Sequence, residues 1–477
     1  MNYRMISYIV GWILMFEAAF LLVPTATAIV YSETEVFSFL WTIFACIAVG
    51  VLLVHRRPRN QTLRARDGFV VVSLSWIVIS LFGAIPFHLS GVIPSYINAL
   101  FETVSGFTTT GATILSEVES LPRSMIMWRS FTHWVGGMGV LVFIMAFVPL
   151  SGGRNVHIMK AESTGPDVGK LVPRVRTTAM ILYSIYLAIT VLETVLLLFG
   201  GMSFFEAINT AFSTAGTGGF GIKNDSLNSY SSYIQIVVGV FMLLCSFNFA
   251  SYFLILRGRF KEAFNAELRT FALIVTGAVA LITFNIRHMF STVGESLKHA
   301  FFTVSSIIST TGFVTVDFDL WPQLSRTLLV LLMFVGACAG STGGGVKVSR
   351  LIIAFKGIVR EFRSLLHPKE VRRVSVDGKP LEQRVITSTF VYLLCFGGVF
   401  LLSFLLISIG NYSFTTGFTA VAATMGNIGP GLDGVGATCN YGFFSPFSKI
   451  VLIFDMLAGR LELFPMLLLF TPATWKK

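Results

Sequence analysis

Apolar residues along this chain run in long blocks, and a block of about 20 residues is enough for a helix to cross a bilayer. The blocks lie at 7–30, 36–54, 69–88, 125–149, 178–200, 232–256, 270–285, 326–357, 386–409 and 444–473. They predict ten transmembrane helices with no sizeable soluble domain between them. The first block lacks a small-residue cleavage site and continues into a second, so it is expected to be a retained helix. Ten crossings put both termini on one side.

Between alternate blocks sits a short polar stretch that occurs in four gapless copies: ALFETVSGFTTTG (99–111), AINTAFSTAGTGG (207–219), AFFTVSSIISTTG (300–312) and GFTAVAATMGNIG (417–429). Each is too short to span and is flanked by full-length blocks, so it is expected to enter and leave from the outer face. Such backbone survives at membrane depth only buried in protein or lining water, and four copies can line one axis. Glycine at the end of each copy permits positive φ, which lets carbonyl oxygens replace an ion's hydration shell. The short helix before each glycine would aim its negative dipole end inward and favour a cation.

The predicted filter residues are Thr109, Thr110 and Gly111; Thr217, Gly218 and Gly219; Thr310, Thr311 and Gly312; and Asn427, Ile428 and Gly429. None is charged, which suits a monovalent ion held by carbonyls; a ring of acids would point to a divalent one. Glu117, Asp225, Asp317 and Asp433 follow the glycines. They read either as acids that concentrate cations at the mouth or as solvated loop residues.

Composition agrees with a lipid solvent: 54% of residues are hydrophobic and 12% charged, against about 25% charged in a soluble domain. Basic residues crowd into 55–67 and 347–384, and such loops stay in the cytoplasm. The net charge of +11 is therefore explained by orientation, and no nucleic-acid partner is expected. Cys46, Cys245, Cys338, Cys395 and Cys439 show no disulfide or metal-ligand spacing. An enzyme would need clustered His and carboxylates or a nucleophile–base pair; the seven His are scattered, so no catalytic residue is expected.

After the third copy, Gly340, Ser341, Thr342, Gly343, Gly344 and Gly345 interrupt an apolar block and lead to Lys347. Each Gly costs a helix roughly 1 kcal/mol relative to Ala, so a loop inside the membrane is expected below the filter, where it can block a pore. GSTGGGVK lacks the spacing of a phosphate-binding loop. Arg460 lies inside the last block, where charge is a functional signal by default. It is expected to face the pore, repelling cations or donating to carbonyls of the glycine loop, with Asp455 and Glu462 poorly spaced to pair with it on one helix. Arg129, His133 and Trp134 form another polar cluster without an assigned role.

The four copies, together with WRSFTHWVGGMG (128–139), GACAGSTGGGVKVSR (336–350) and FDMLAGRLE (454–462), resemble the Trk/Ktr/HKT superfamily of potassium transporters, most closely its bacterial Trk membrane-subunit branch. The resemblance covers nearly the whole chain. It implies an all-α integral membrane protein with four helix–pore loop–helix repeats around a pseudo-fourfold axis, preceded by two extra helices. The corresponding divisions are 1–66, then 67–160, 161–262, 263–365 and 366–477. It further implies a potassium ion in the filter with no organic cofactor, the bacterial cytoplasmic membrane with both termini cytoplasmic, a homodimer in the lipid bilayer, and a cytoplasmic nucleotide-binding ring that opens the pore. Gly111 departs from the sodium-conducting variant, which has serine there. A sodium- or proton-coupled potassium symporter of the same fold is the alternative.

Overall fold

The structure, a computed structural model, describes residues 1–55, 58, 64–139, 175–369 and 373–475. In chain order its helices are α1 (Tyr3–Phe20), α2 (Leu22–Val30), α3 (Val36–Val54), α4 (Ala65–Gly83), α5 (Ile85–Leu89), α6 (Tyr96–Phe107), α7 (Arg123–Gly137), α8 (Val175–Phe199), α9 (Phe204–Ala215), α10 (Ser232–Cys245), α11 (Phe249–Leu256), α12 (Phe260–Ala263), α13 (Ala266–Ile286), α14 (Val293–Ile308), α15 (Gln323–Val335), α16 (Val348–Leu366), α17 (Gln383–Ser408), α18 (Phe414–Gly426), α19 (Pro446–Arg460), α20 (Phe464–Phe470) and α21 (Pro472–Trp475). Strand among the described residues is confined to a small hairpin in which Ser375 pairs with Pro380.

A helix satisfies its own backbone polar groups, which is why apolar blocks fold this way in lipid. Among the described residues six helical stretches are long and apolar enough to cross: Tyr3–Val30, Val36–Val54, Arg66–Leu89, Thr177–Phe199, Ala266–Ile286 and Gln383–Ser408. The first two are the extra N-terminal pair. Gly11 and Gly50 let them touch: a Cβ on Gly11 would lie 2.9 Å from the Gly50 carbonyl oxygen, and one on Gly50 would lie 3.0 Å from that of Gly11. The other four precede the four short polar copies, one each.

The helices that follow the second and fourth copies depart from the sequence expectation of unbroken spans, and the one after the third is broken where the glycine run predicts. The 232–256 block bends by 91° between α10 and α11, because Asn248 caps α11, its side chain accepting from the Ala250 amide. The 326–357 block stops at Val335 and resumes at Val348, with positive φ at Gly336, Gly340 and Gly345. The 444–473 block breaks after Arg460, where Glu462 and Leu463 take positive φ and Pro465 starts α20. Helix α7 ends at Gly137, and the rest of the 125–149 block lies outside the described residues. The sequence predicts a break in the third repeat alone; the structure has one in the second and fourth as well.

Helices α6 and α7 are joined by a fully buried ion pair. Arg129 Nε donates to Glu102 at 2.8 Å, with the two side chains 2% and 0% exposed. The same carboxylate accepts from Thr113 Oγ1 at 2.9 Å and from the Ile114 amide at 3.0 Å, fixing the chain just beyond Gly111. Removing one member of a buried pair strands the other and costs about 3–5 kcal/mol, whereas replacing both with apolar groups is often neutral. Glu102→Ala should therefore lower the unfolding temperature of the detergent-solubilised protein strongly, and Glu102→Leu with Arg129→Met should recover most of it. Equal loss in the single and double variants would contradict this account.

Candidate functional site

The four short copies each fold as a helix and a left-handed turn. Helices α6, α9, α14 and α18 end at Phe107, Ala215, Ile308 and Gly426, one or two residues before the first predicted filter residue of each copy. Three start on side-chain caps: Ser203 accepts from the Glu206 amide, Thr292 from Glu295 and Ser413 from Thr416. Such caps satisfy amides that have no partner inside the helix. The carbonyl ends, which carry the negative end of the dipole, point into the turns.

The turns share one backbone geometry. The first predicted residue of each triplet has positive φ, at 55° for Thr109, 56° for Thr217, 61° for Thr310 and 53° for Asn427. The closing glycines follow at 76°, 76°, 90° and 94° for Gly111, Gly219, Gly312 and Gly429. Thr110, Gly218, Thr311 and Ile428 lie between and are not left-handed. Alternation of this kind turns successive carbonyls to one side. The sequence predicts positive φ for the glycines alone. Asn427 was findable, since Asn tolerates this region, but a β-branched residue there is an outlier, so nothing in the three threonines signalled it.

Contacts between the turns close a ring. A Cβ added to Gly111 would lie 2.0 Å from the Gly218 carbonyl oxygen, one on Gly219 2.0 Å from that of Thr311, one on Gly312 2.1 Å from that of Ile428, and one on Gly429 2.7 Å from that of Thr110. Each glycine thus faces the middle carbonyl of the next repeat, in the order one, two, three, four and back to one. The twelve predicted filter residues are brought together on this ring.

Above it, an open cavity of about 130 Å³ is lined by Gly111, Gly219, Gly312 and Gly429 and by the loops that follow them. Glu117, Asp225, Asp317 and Asp433 do not line it; the charged side chains that do are Arg129 and Lys223. Asp433 instead serves the start of α18, where the Ser413 and Thr416 hydroxyls hold its carboxyl below the usual carboxylate range.

The glycine stretch after α15 lies directly against the turns from the other side. A Cβ on Gly343 would lie 2.8 Å from the Ser309 carbonyl oxygen and one on Gly344 2.3 Å from that of Gly426. The Gly344 amide donates to Thr310 Oγ1 at 2.6 Å, and Thr342 Oγ1 donates to the Cys245 carbonyl at 3.1 Å. Lys347 is buried and its Nζ donates to the Gly343 carbonyl. The second-repeat break also bonds to the loop: the Cys338 amide donates to the Ser246 carbonyl and the Phe249 amide to that of Gly340.

Arg460 reaches this loop from α19. It donates to the Thr342 carbonyl at 2.5 Å and to the Gly136 and Gly137 carbonyls at 2.6 and 2.7 Å, tying the third, fourth and first repeats together. Of the two acids near it in sequence, Asp455 accepts from Ser403 at 2.6 Å, and Glu462 pairs with Arg350. Sequence reasoning missed Glu267, whose carboxylate accepts from the amides of Ala339 at 2.7 Å and Ser349 at 3.0 Å, pinning both ends of the loop. Its place near the start of an outer helix gave no signal.

Comparison with known proteins agrees with this architecture. A family model described as a cation transport protein matches residues 35–477. The chain is 35% identical to the Trk system potassium uptake protein TrkH of Escherichia coli, with 100% of each covered. It is 33% identical to an uncharacterized cation transporter of Methanocaldococcus jannaschii, with 99% of this chain and 96% of that one covered. The crystal structure of the potassium transporter TrkH from Vibrio parahaemolyticus is similar at a TM-score of 0.90 and 32% identity, with 100% of both chains covered. With the family model spanning most of its length and relatives of this identity aligned end to end, the chain belongs to the TrkH family of cation transport proteins and is an all-α membrane transport protein, not an enzyme.

Proposed function

We propose that this protein takes up potassium across the bacterial cytoplasmic membrane through a filter formed by the four turns. One observation carries the reading: four glycines, each against the next repeat's middle carbonyl, close a ring whose ligands are uncharged backbone oxygens. Such oxygens replace the hydration shell of a monovalent cation, and four helix carbonyl ends aimed at the ring favour positive charge. The relatives named as potassium uptake proteins support potassium as that cation.

The barrier in this reading is the loop from Gly340 to Gly345, held by Lys347 and Arg460. A fixed guanidinium under a cation path opposes conduction by charge, and its bonds to Thr342, Gly136 and Gly137 hold the loop across the axis. Opening is assigned to a separate nucleotide-binding ring docked on the cytoplasmic side, where Arg363 and Arg373 are exposed beside Phe355 and Phe362, exposed by 68% and 64%. Residues 151–174 and Arg372 lie outside the described residues. A homodimer completes the assembly.

The test is potassium and sodium flux into liposomes containing the purified protein. Serine at Gly111, Gly219 or Gly312 should cut the potassium-to-sodium ratio by about tenfold or more, equivalent to about 1.4 kcal/mol. Gly429→Ser should cost less, since its Cβ would sit 2.7 Å from the nearest carbonyl oxygen, still too close but farther than at the other three glycines. Gly106→Ser, which meets Thr132 Oγ1 at 2.2 Å away from the ring, should lower yield and leave the ratio unchanged. A well-folded Gly312→Ser protein with wild-type selectivity would refute the ring.

For the barrier, Arg460→Ala should raise flux in the absence of any cytoplasmic partner. Hydrogen bonds from a charged donor are worth about 1.5–3 kcal/mol each, so losing three should shift the closed state by more than about tenfold. Deletion of Gly343 to Gly345 should act in the same direction. Wild-type basal flux in both variants would remove the loop as the barrier.

A further inference from the structure

The four filter strands are backed in three different ways, and one of them borrows its backing from another repeat. In the first repeat Thr108 Oγ1 and Thr110 Oγ1 lie 2.8 Å apart, bonded behind the strand; in the third, Ser309 Oγ and Thr311 Oγ1 do the same at 2.6 Å. The fourth has Gly426 in place of the first hydroxyl, and Ile428 covers it: a Cβ on Gly426 would lie 2.8 Å from Ile428 Cδ1. In the second repeat both positions, Gly216 and Gly218, are glycine, so the strand carries nothing of its own there.

The space is filled by His133 from α7 of the first repeat. A Cβ on Gly218 would lie 2.3 Å from both Cγ and Nδ1 of the His133 ring, and one on Gly216 would lie 2.3 Å from the His133 carbonyl oxygen. The ring therefore occupies the volume that a side chain at position 218 would take. It is completely buried, and neither nitrogen has a hydrogen-bond partner among the described residues. Phe220, just past Gly219, stacks on it with centroids 4.2 Å apart, and the Arg129 guanidinium lies 4.1 Å over the same Phe220 ring. His133 is thus held from the side on which the strand leaves the filter.

We propose that His133 is a positioning residue for ion selectivity, serving as the missing side chain of Gly218 and holding that residue's carbonyl on the ring. The proposal rests on the filter reading above. What it uses is the shape of the ring, since both nitrogens are idle; without it the second strand would back onto a void, and the partial collapse that follows loss of a buried side chain would draw the strand backwards. The Gly218 carbonyl faces Gly111, so the relaxation would open the joint between the first and second repeats.

The experiment compares wild type, His133→Ala, Gly218→Ile, and the double variant His133→Ala with Gly218→Ile, which gives the second repeat the Gly-x-Ile pattern of Gly426 and Ile428. Potassium and sodium fluxes in liposomes are the readout, with thermal unfolding in detergent as the control. His133→Ala should lower the potassium-to-sodium ratio by about tenfold, and the double variant should recover most of it. Gly218→Ile alone should fold poorly, because its Cβ meets the ring. A merely structural histidine would change the unfolding temperature and leave the ratio alone. Unchanged selectivity in folded His133→Ala would overturn the proposal, as would failure of the folded double variant to recover it; if His133→Ala does not fold, the double variant decides alone. A wild-type protein that fails to discriminate the two ions would instead refute the filter reading on which the proposal rests.

Discussion

Carbonyl oxygen against glycine Cα, made four times in a closed order, is the contact on which the rest of this structure depends. With 2.0 to 2.7 Å between each carbonyl oxygen and the place a Cβ would occupy, no side chain fits at Gly111, Gly219, Gly312 or Gly429. The helices before the turns set the direction of approach, the caps at Ser203, Thr292 and Ser413 set where those helices begin, and the inner helices pack glycine under the turns. Gly136 and Gly459 repeat the theme, with Cβ positions 1.8 and 2.2 Å from the Phe107 and Met425 carbonyl oxygens.

Backbone that leaves the helix inside a membrane must be satisfied by protein or water, and this explains the breaks in the inner helices. The loop from Gly336 to Lys347 and the bend at Ser246 to Asn248 exchange hydrogen bonds with each other, so each irregular segment answers the other. Charges are distributed by the same rule. Arg460 donates to carbonyls, Glu267 accepts from amides, and Arg350 and Glu462 meet each other, so these buried ionic groups bring the loop's polar atoms together. In the proposed mechanism that is also what makes the loop a barrier that a partner can release.

Much of this was legible in the sequence, because the features that matter most leave marks there. Long apolar blocks gave the outer helices, and four gapless copies ending in glycine located the turns. A glycine run followed by Lys347 gave the broken third inner helix. The breaks in the second and fourth inner helices were hidden, since PheAsnPhe at 247–249 and Glu462 to Pro465 sit in apolar surroundings that read as continuous span. Side-chain partners across repeats were hidden too. Nothing along the chain announces that His133 fills the place of a side chain at Gly218, or that Glu267 reaches both ends of a loop more than seventy residues away.

The most direct measurement of the central claim is the anomalous scattering of rubidium, as a potassium substitute, in crystals of the protein. The account predicts a peak on the axis ringed by carbonyl oxygens of Thr110, Gly218, Thr311 and Ile428 or of the glycines that follow them, diminished when sodium competes only at large excess. Rubidium density elsewhere in the membrane region, with none on the ring, would contradict it.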